Sequence, residues 1–251
     1  MAKIIVVHSF RGGTGKSNMA ANLAAGVARR GHRVGIVDTD IQSPGIHVHG
    51  DSLGRVLGRL KRLRRGAKVT DTTPRRLHVG CGDIHIDGWC NVDIDPGTAA
   101  DVVDDITTLD KFPDAFANTI YACHVLEHVS HDEVARVLGR WHRVLAPDGL
   151  LYTSVPDIDR IVRIYAANWE HFQTRPNTPW IGLIYGGQLD RYDFHRTGFN
   201  LCWMTELLER AGFADVQEYA HEPHPFGVVD ASLANEPFGE FVSLNVKAIR
   251  A

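Results

Sequence analysis

Short apolar runs recur along the chain, each closed by glycine, proline or carboxylates. Leu77-His-Val-Gly-Cys-Gly-Asp83, Cys90-Asn-Val-Asp-Ile-Asp95, Ala100-Asp-Val-Val-Asp-Asp-Ile106, Thr119-Ile-Tyr-Ala-Cys-His124 and Leu150-Leu-Tyr-Thr-Ser-Val155 read as five strands. Between the fourth and fifth the period changes. Val134, Val137, Leu138, Trp141, Val144 and Leu145 recur at helical spacing, behind Ser130-His-Asp-Glu133, which reads as a capping box, and ahead of Pro147-Asp-Gly149 as the stop. A helix over Trp203 to Ala211, closed by Gly212, a strand near Ala214–Tyr219 and a last strand Phe241–Ile249 complete the pattern. Strand and helix alternating in this way predict an α/β fold, a parallel sheet with helices on both faces.

The first 76 residues carry a different pattern. Lys3 to Ser9 is strand-like, an Ala-rich helix ends near Gly31, and Arg33 to Asp38 is a second strand: a partial P-loop βαβ segment over 1–49. Leu53, Val56, Leu57, Leu60 and Leu63 then form one helix face, with Arg55, Arg59, Lys61, Arg62, Arg64 and Arg65 around it. This basic amphipathic helix and linker, 50–76, suits peripheral contact with an anionic membrane through residues 53–65, a protein partner, or simple solvation of its charges.

Charge sharpens that division. The net charge is −3, but it is +4 over residues 1–49, +7 over 50–76 and −14 over 77–251. The acidic part argues against a nucleic-acid partner, because phosphate contacts need basic surface. Cys81, Cys90, Cys123 and Cys202 show no Cys-x-x-Cys spacing, no signal peptide is visible, and no apolar run approaches the roughly 20 residues of a membrane span. The expected location is cytoplasmic, with reduced thiols.

Candidate chemistry starts at the carboxyl ends of the first two strands. Glycine there lets the backbone approach a ligand closely. Asp93, leaving the second strand, is placed to accept from the vicinal hydroxyls of a ribose. A dinucleotide fingerprint would need a third glycine where His85 stands, and its acidic residue would lie later than Asp93. A nucleoside without pyrophosphate fits better. With Tyr121-Ala-Cys-His-Val-Leu-Glu-His128 and Val144-Leu-Ala-Pro-Asp-Gly149 in the same order, residues 75–251 resemble class I S-adenosylmethionine-dependent methyltransferases of the type 11 group. The resemblance implies a Rossmann-like seven-stranded methyltransferase sheet over 77–251, the final strand antiparallel and a short first helix before Trp89. It implies that Gly80, Cys81, Gly82, Asp93 and Asp105 hold S-adenosyl-L-methionine, with His124 beside its methionine end.

Phe10-Arg-Gly-Gly-Thr-Gly-Lys-Ser17, with Asp38-Thr-Asp40, resembles the deviant phosphate loop of the ParA/MinD family of ATPases. Gly13, Gly15, Lys16, Ser17, Asp38 and Asp40 would then hold ATP and Mg. Arg11 stands where that family has its signature lysine, and after Val48 the resemblance stops. One βαβ unit is marginal as a free fold, so nucleotide binding and a truncated remnant are both open readings.

Between the fifth strand and the next helix, an insertion over 156–200 carries Trp169, Phe172, Trp180, Tyr185, Tyr192, Phe194 and Phe199 among charged residues. It would fold over the reactive end of the cofactor as a lid forming the pocket for a small-molecule or glycan acceptor; about half of the aromatics would be core. Gly186, Gly187 and Gly198 could serve as hinges. A hydroxyl acceptor needs a base, and His195 is the first candidate and His124 the second. The alternative is that His195 only positions substrate. His124-Val-Leu-Glu-His128 also fits a zinc-protease pattern, but it straddles a strand end instead of lying on one helix, so no metal is expected. The His47-x-His49 and His221-x-x-His224 pairs read as solvated loops. A ParA/MinD-like nucleotide-binding protein with a non-catalytic second domain is the rival reading.

Overall fold

After Arg76, every residue of β1 (Arg76–Val79) is buried, His78 included, as a central strand covered on both faces requires. The computed structural model describes residues 69–174, 180–188, 191–235 and 238–251. The chain divides between Arg65 and Gly66, and these residues all belong to the second unit. The phosphate-loop segment with Gly13, Gly15, Lys16, Ser17, Asp38 and Asp40, and the basic stripe over 53–65, lie outside the described residues.

Around β1 stand β2 (Cys90–Asp93), β3 (Val102–Val103), β4 (Ala117–Cys123), β5 (Leu145–Pro156), β6 (Phe213–Glu218) and β7 (Ser243–Arg250). Among the described residues they make one seven-stranded sheet in the order β3-β2-β1-β4-β5-β7-β6. The first five run parallel, while β7 is antiparallel to both β5 and β6. This is the mixed, Rossmann-like sheet with helices that the sequence implies. The chain order reverses beside β1, between β2 and β4, and an open α/β sheet holds ligands at such a point.

One sheet face is apolar. Leu77, Val79, Ile120, Ala122, Leu151 and Val155 pack on α1 (Val134–Val144) and α5 (Leu201–Arg210) through Val137, Leu138, Trp141, Met204 and Leu208. Trp141 is fully buried and its indole Nε1 donates to Ile106 O at 2.8 Å. On the other face Tyr121 packs with Ile86, Trp89 and Phe226. Two buried polar pairs lie on that side: His78 Nδ1 is 3.1 Å from Asn91 Oδ1, and Tyr121 donates to Asp230 Oδ2 at 2.6 Å.

Several local expectations change. The expected third strand contracts to Val102–Val103. No helix forms before Trp89; residues 83–89 are turns, and Ile86 N donates to Asn91 Oδ1. Ser130 does not cap α1. Its hydroxyl donates to the Glu133 carboxylate at 2.8 Å and its carbonyl accepts from Glu133 N, so an extra turn forms first and the helix starts at Val134. Pro147-Asp-Gly149 does not stop the helix either. Leu145 is already extended, and the tripeptide is an irregularity inside β5, where Ala117 pairs with Leu145 but Thr119 with Leu150. Asp148 takes φ 62° there. His221 and His224 are not solvated: His221 Nε2 lies 2.8 Å from Ser243 O, and His224 Nε2 lies 3.0 Å from the Tyr121 hydroxyl.

The insertion after β5 folds as α2 (Ile158–Ala167), capped by Asp157, then α3 (Trp169–Thr174) and α4 (Trp180–Tyr185). Ile161, Ile164 and Trp180 build a second small core with Val242. Trp180 and Phe199 are buried, whereas Trp169, Tyr185, Tyr192 and Phe194 are exposed. Gly186 takes φ 80°, and a Cβ on it would meet Asp193 O at 2.3 Å; only glycine permits that approach. No described helix is long and apolar enough to cross a membrane.

Candidate functional site

At the end of β1 the chain turns back on β2. Gly80 N and Cys81 N both donate to Val92 O, at 2.8 and 3.1 Å. Gly80 takes φ 69°, and a Cβ there would meet Val125 Cγ2 at 2.4 Å, so the turn needs glycine on both counts. Gly82, with φ 50°, donates its N–H to Asp93 Oδ2 at 2.9 Å, while Asp93 Oδ1 accepts from Asp95 N. Each carboxylate oxygen has two acceptor positions, so Asp93 is held by the backbone and keeps capacity for a ligand.

This edge opens on a cleft of about 650 Å³. Of the residues singled out in the sequence, Gly80, Asp93, Asp105 and His124 line it; Cys81, Gly82 and His195 do not. Cys81 is buried, and burial pushes its thiol far up, beyond use as a nucleophile. Asp105 turns toward the cleft with Oδ1 accepting from both N and Oγ1 of Thr107, at 2.8 Å each. Asp104 instead accepts from Lys111 N at 2.9 Å. Ile94, Ile106 and Val125 supply apolar wall between the carboxylates. Two ribose- or amine-type acceptors flanking apolar surface make a site suited to a nucleoside.

The other end of the cleft is only partly legible in the sequence. His128, Arg191, Tyr192 and Arg196 line it, the last three contributed by the insertion. Arg191 stacks its guanidinium 4.6 Å over the Tyr192 ring. His124 stands just past β4 with φ 53°, an uncommon conformation for a residue with a side chain. Its N–H donates to Ser154 O at 2.8 Å. Its Nε2 lies 2.9 Å from Ser243 Oγ and its Nδ1 3.1 Å from Oε1 of Glu127.

Glu127 is the residue that sequence reasoning does not mark. It sits in the one-turn 3₁₀ helix Leu126–His128 with its side chain 1% exposed. Burial works against its charge, yet His124 and His128 hold its carboxyl below the ordinary range. Its backbone O accepts from Arg196 N at 2.7 Å, which ties the insertion to the turn. His195 comes back over the same spot: Nδ1 lies 3.0 Å from Leu183 O, and Nε2 4.0 Å from Glu127 Oε1. Burial lowers its pKa, leaving it neutral near pH 7. The zinc-protease arrangement does not arise, since His124 lies before the 3₁₀ turn and no continuous helix carries both histidines. The one hint of the cluster in the sequence is that same His-x-x-Glu-His run.

Comparison with known proteins gives two results. An iron-sulfur cluster carrier protein of Deinococcus radiodurans is 43% identical over 63 residues, which is 25% of this chain and 18% of that protein. The septum site-determining protein MinD of Neisseria meningitidis is 49% identical over 41 residues, 16% of this chain and 15% of that protein. The chain thus spans under a fifth of the length of these curated relatives. Among solved structures, a methyltransferase from Archaeoglobus fulgidus dependent on S-adenosylmethionine matches 79% of this chain and 93% of its own, at 15% identity and TM-score 0.45. Another, from Methanosarcina mazei, matches 70% and 91%, at 16% identity and TM-score 0.45. The family model described as CobQ/CobB/MinD/ParA nucleotide binding domain matches residues 5–186, which reaches well past Val48, where the likeness read from the sequence ends, and into the described sheet. By that match the chain belongs to the CobQ/CobB/MinD/ParA nucleotide-binding family.

Proposed function

We propose that the second unit is a methyltransferase that moves a methyl group from S-adenosyl-L-methionine to a small-molecule or glycan acceptor. The observation that carries this reading is the cleft edge, where Gly80 admits no side chain and Asp93 is fixed by Gly82 N with acceptor capacity left over. The cofactor supplies an electrophilic methyl group on a sulfonium. Asp93 and Asp105 accept from the nucleoside, Ile94 and Ile106 shield the base, and the absence of a third glycine fits a ligand without pyrophosphate. Arg191, Tyr192 and Arg196 close the acceptor end, where excluding water favours a step in which charge is lost. Most of the rate comes from holding acceptor and methyl in line. His124 reaches the cleft, while His195 acts through Glu127 and is a positioning residue.

Titrating the full chain with S-adenosylhomocysteine in a calorimeter tests this. Saturable binding that Asp93→Ala weakens supports it; no binding by the wild type overturns it. The family match carries a second reading, nucleotide binding at Lys16 and Ser17. ATP binding lost in Lys16→Ala, with no affinity for S-adenosylhomocysteine, would leave this reading alone standing.

A further inference from the structure

We propose that Glu127, His128 and His195 bind a divalent first-row transition cation at the acceptor end of the cleft. Each offers one ligand atom, and these atoms all lie within 4.8 Å of one another. Bonds of about 2.1 Å would bring tetrahedral donors to about 3.4 Å apart, so the three have to close by only an ångström or so.

The side chains are set up for this. Nδ1 of His128 lies 3.2 Å from Phe194 O, and Nδ1 of His195 lies 3.0 Å from Leu183 O. A carbonyl only accepts, so both Nδ1 atoms carry the proton and both Nε2 atoms present a lone pair. This backbone-anchored tautomer is the one that metal-ligating histidines adopt. The lone pair of His195 Nε2 lies 4.0 Å from Glu127 Oε1, with no proton between them.

The carboxylate makes the second, independent argument. Glu127 is 1% exposed, and neither Oε1 nor Oε2 receives a hydrogen bond. A buried anion in that condition is costly and points to a missing positive partner. His124 Nδ1, 3.1 Å from Oε1, supplies one only when doubly protonated. Ser243 Oγ spends its own proton on Ala231 O at 3.0 Å, so it accepts from His124 Nε2, which leaves Nδ1 of the neutral ring as a lone pair facing Glu127. In the neutral rings the lone pairs of His124 Nδ1 and His195 Nε2 face this carboxylate, and a cation beside it takes the place of the protonated imidazole that otherwise balances its charge.

Two imidazoles and one carboxylate suit zinc, iron or cobalt rather than magnesium or calcium, which take oxygen ligands. His128 lines the cleft, so an open coordination position would face the acceptor and could lower the pKa of its hydroxyl. That last role rests on the methyltransferase reading; the cation site itself does not.

Cobalt(II) titration of the chelator-treated full chain, followed by visible absorption, tests the site. One saturable equivalent is expected in the wild type, weakened at least tenfold in His195→Ala and in Glu127→Gln. Zinc should raise the Tm of the wild type and leave that of Glu127→Gln unmoved, a readout that survives if the histidine variant folds poorly. Absence of both signals in the wild type overturns the proposal, as does cobalt binding unchanged in Glu127→Gln and His195→Ala. Binding of S-adenosylhomocysteine is measured on the same metal-free sample, so failure of the metal site and failure of the methyltransferase reading are told apart.

Discussion

Gly82 N lies 2.9 Å from Oδ2 of Asp93, so the loop after β1 and the carboxylate ending β2 are one hydrogen-bonded unit. Removing the carboxylate in Asp93→Ala takes away a ligand contact and also frees the loop. A hydrogen bond to a charged group is worth about 1.5–3 kcal/mol. Affinity for S-adenosylhomocysteine should therefore fall roughly 10- to 150-fold. Calorimetry measures it, and equal affinity in wild type and variant would remove Asp93 from the site.

Gly80 tests the fold at the same edge. Alanine there adopts a left-handed conformation, at about 1–2 kcal/mol, and its Cβ meets Val125 Cγ2 at 2.4 Å. Overpacking adds about 1–3 kcal/mol. In a unit of this size each kcal/mol moves Tm by about 2–4 °C, so Gly80→Ala should melt on the order of 10 °C lower. A thermal scan within a degree or two of wild type would mean that Val125 turns aside freely.

On the other face of the sheet, Asp230 predicts a pH dependence. Burial opposes its charge, but hydrogen bonds from Ser232 and Tyr121 hold its carboxyl below the ordinary 3.8. A depressed carboxyl binds its proton more weakly folded than unfolded, so its stabilisation is complete above pH 3.8 and fades as pH falls through the lower folded value. Tyr121→Phe should cost about 1.5–3 kcal/mol near neutrality, with the gap to wild type narrowing only below pH 4. Urea melts at pH 7, 4 and 3 read the gap. A gap that is constant with pH would mean that the hydroxyl does not stabilise the carboxylate.

The parts legible in the sequence are those fixed by local periodicity. Leu77–Val79, the alternation through Tyr121 and the stripe ending at Trp141 are set by nearest neighbours and form strand, strand and helix. Ser130 misleads because a hydroxyl beside a carboxylate can donate to it as readily as cap the helix, and the chain alone does not say which. Pro147-Asp-Gly149 resembles a helix stop because a turn inside a strand uses the same residues. Glu127 and His195 stand 68 positions apart in the numbering, and no periodicity links them. They meet only because Arg196 N and Thr197 N bind the backbone O of Glu127.

Among the described residues the buried core runs from Leu77 through Ala248, with Val69 packed against it, and all of these belong to the second unit. A sheet with both faces covered has what it needs to fold without further strands. A fragment covering residues 66–251 should therefore unfold in one cooperative thermal transition and bind S-adenosylhomocysteine within about threefold of the full chain, a difference under ~0.7 kcal/mol. Circular dichroism and calorimetry on the fragment measure both. A fragment that aggregates or melts without a transition would make the amino-terminal segment part of the fold, and the phosphate-loop residues would then have been retained at least in part for structure.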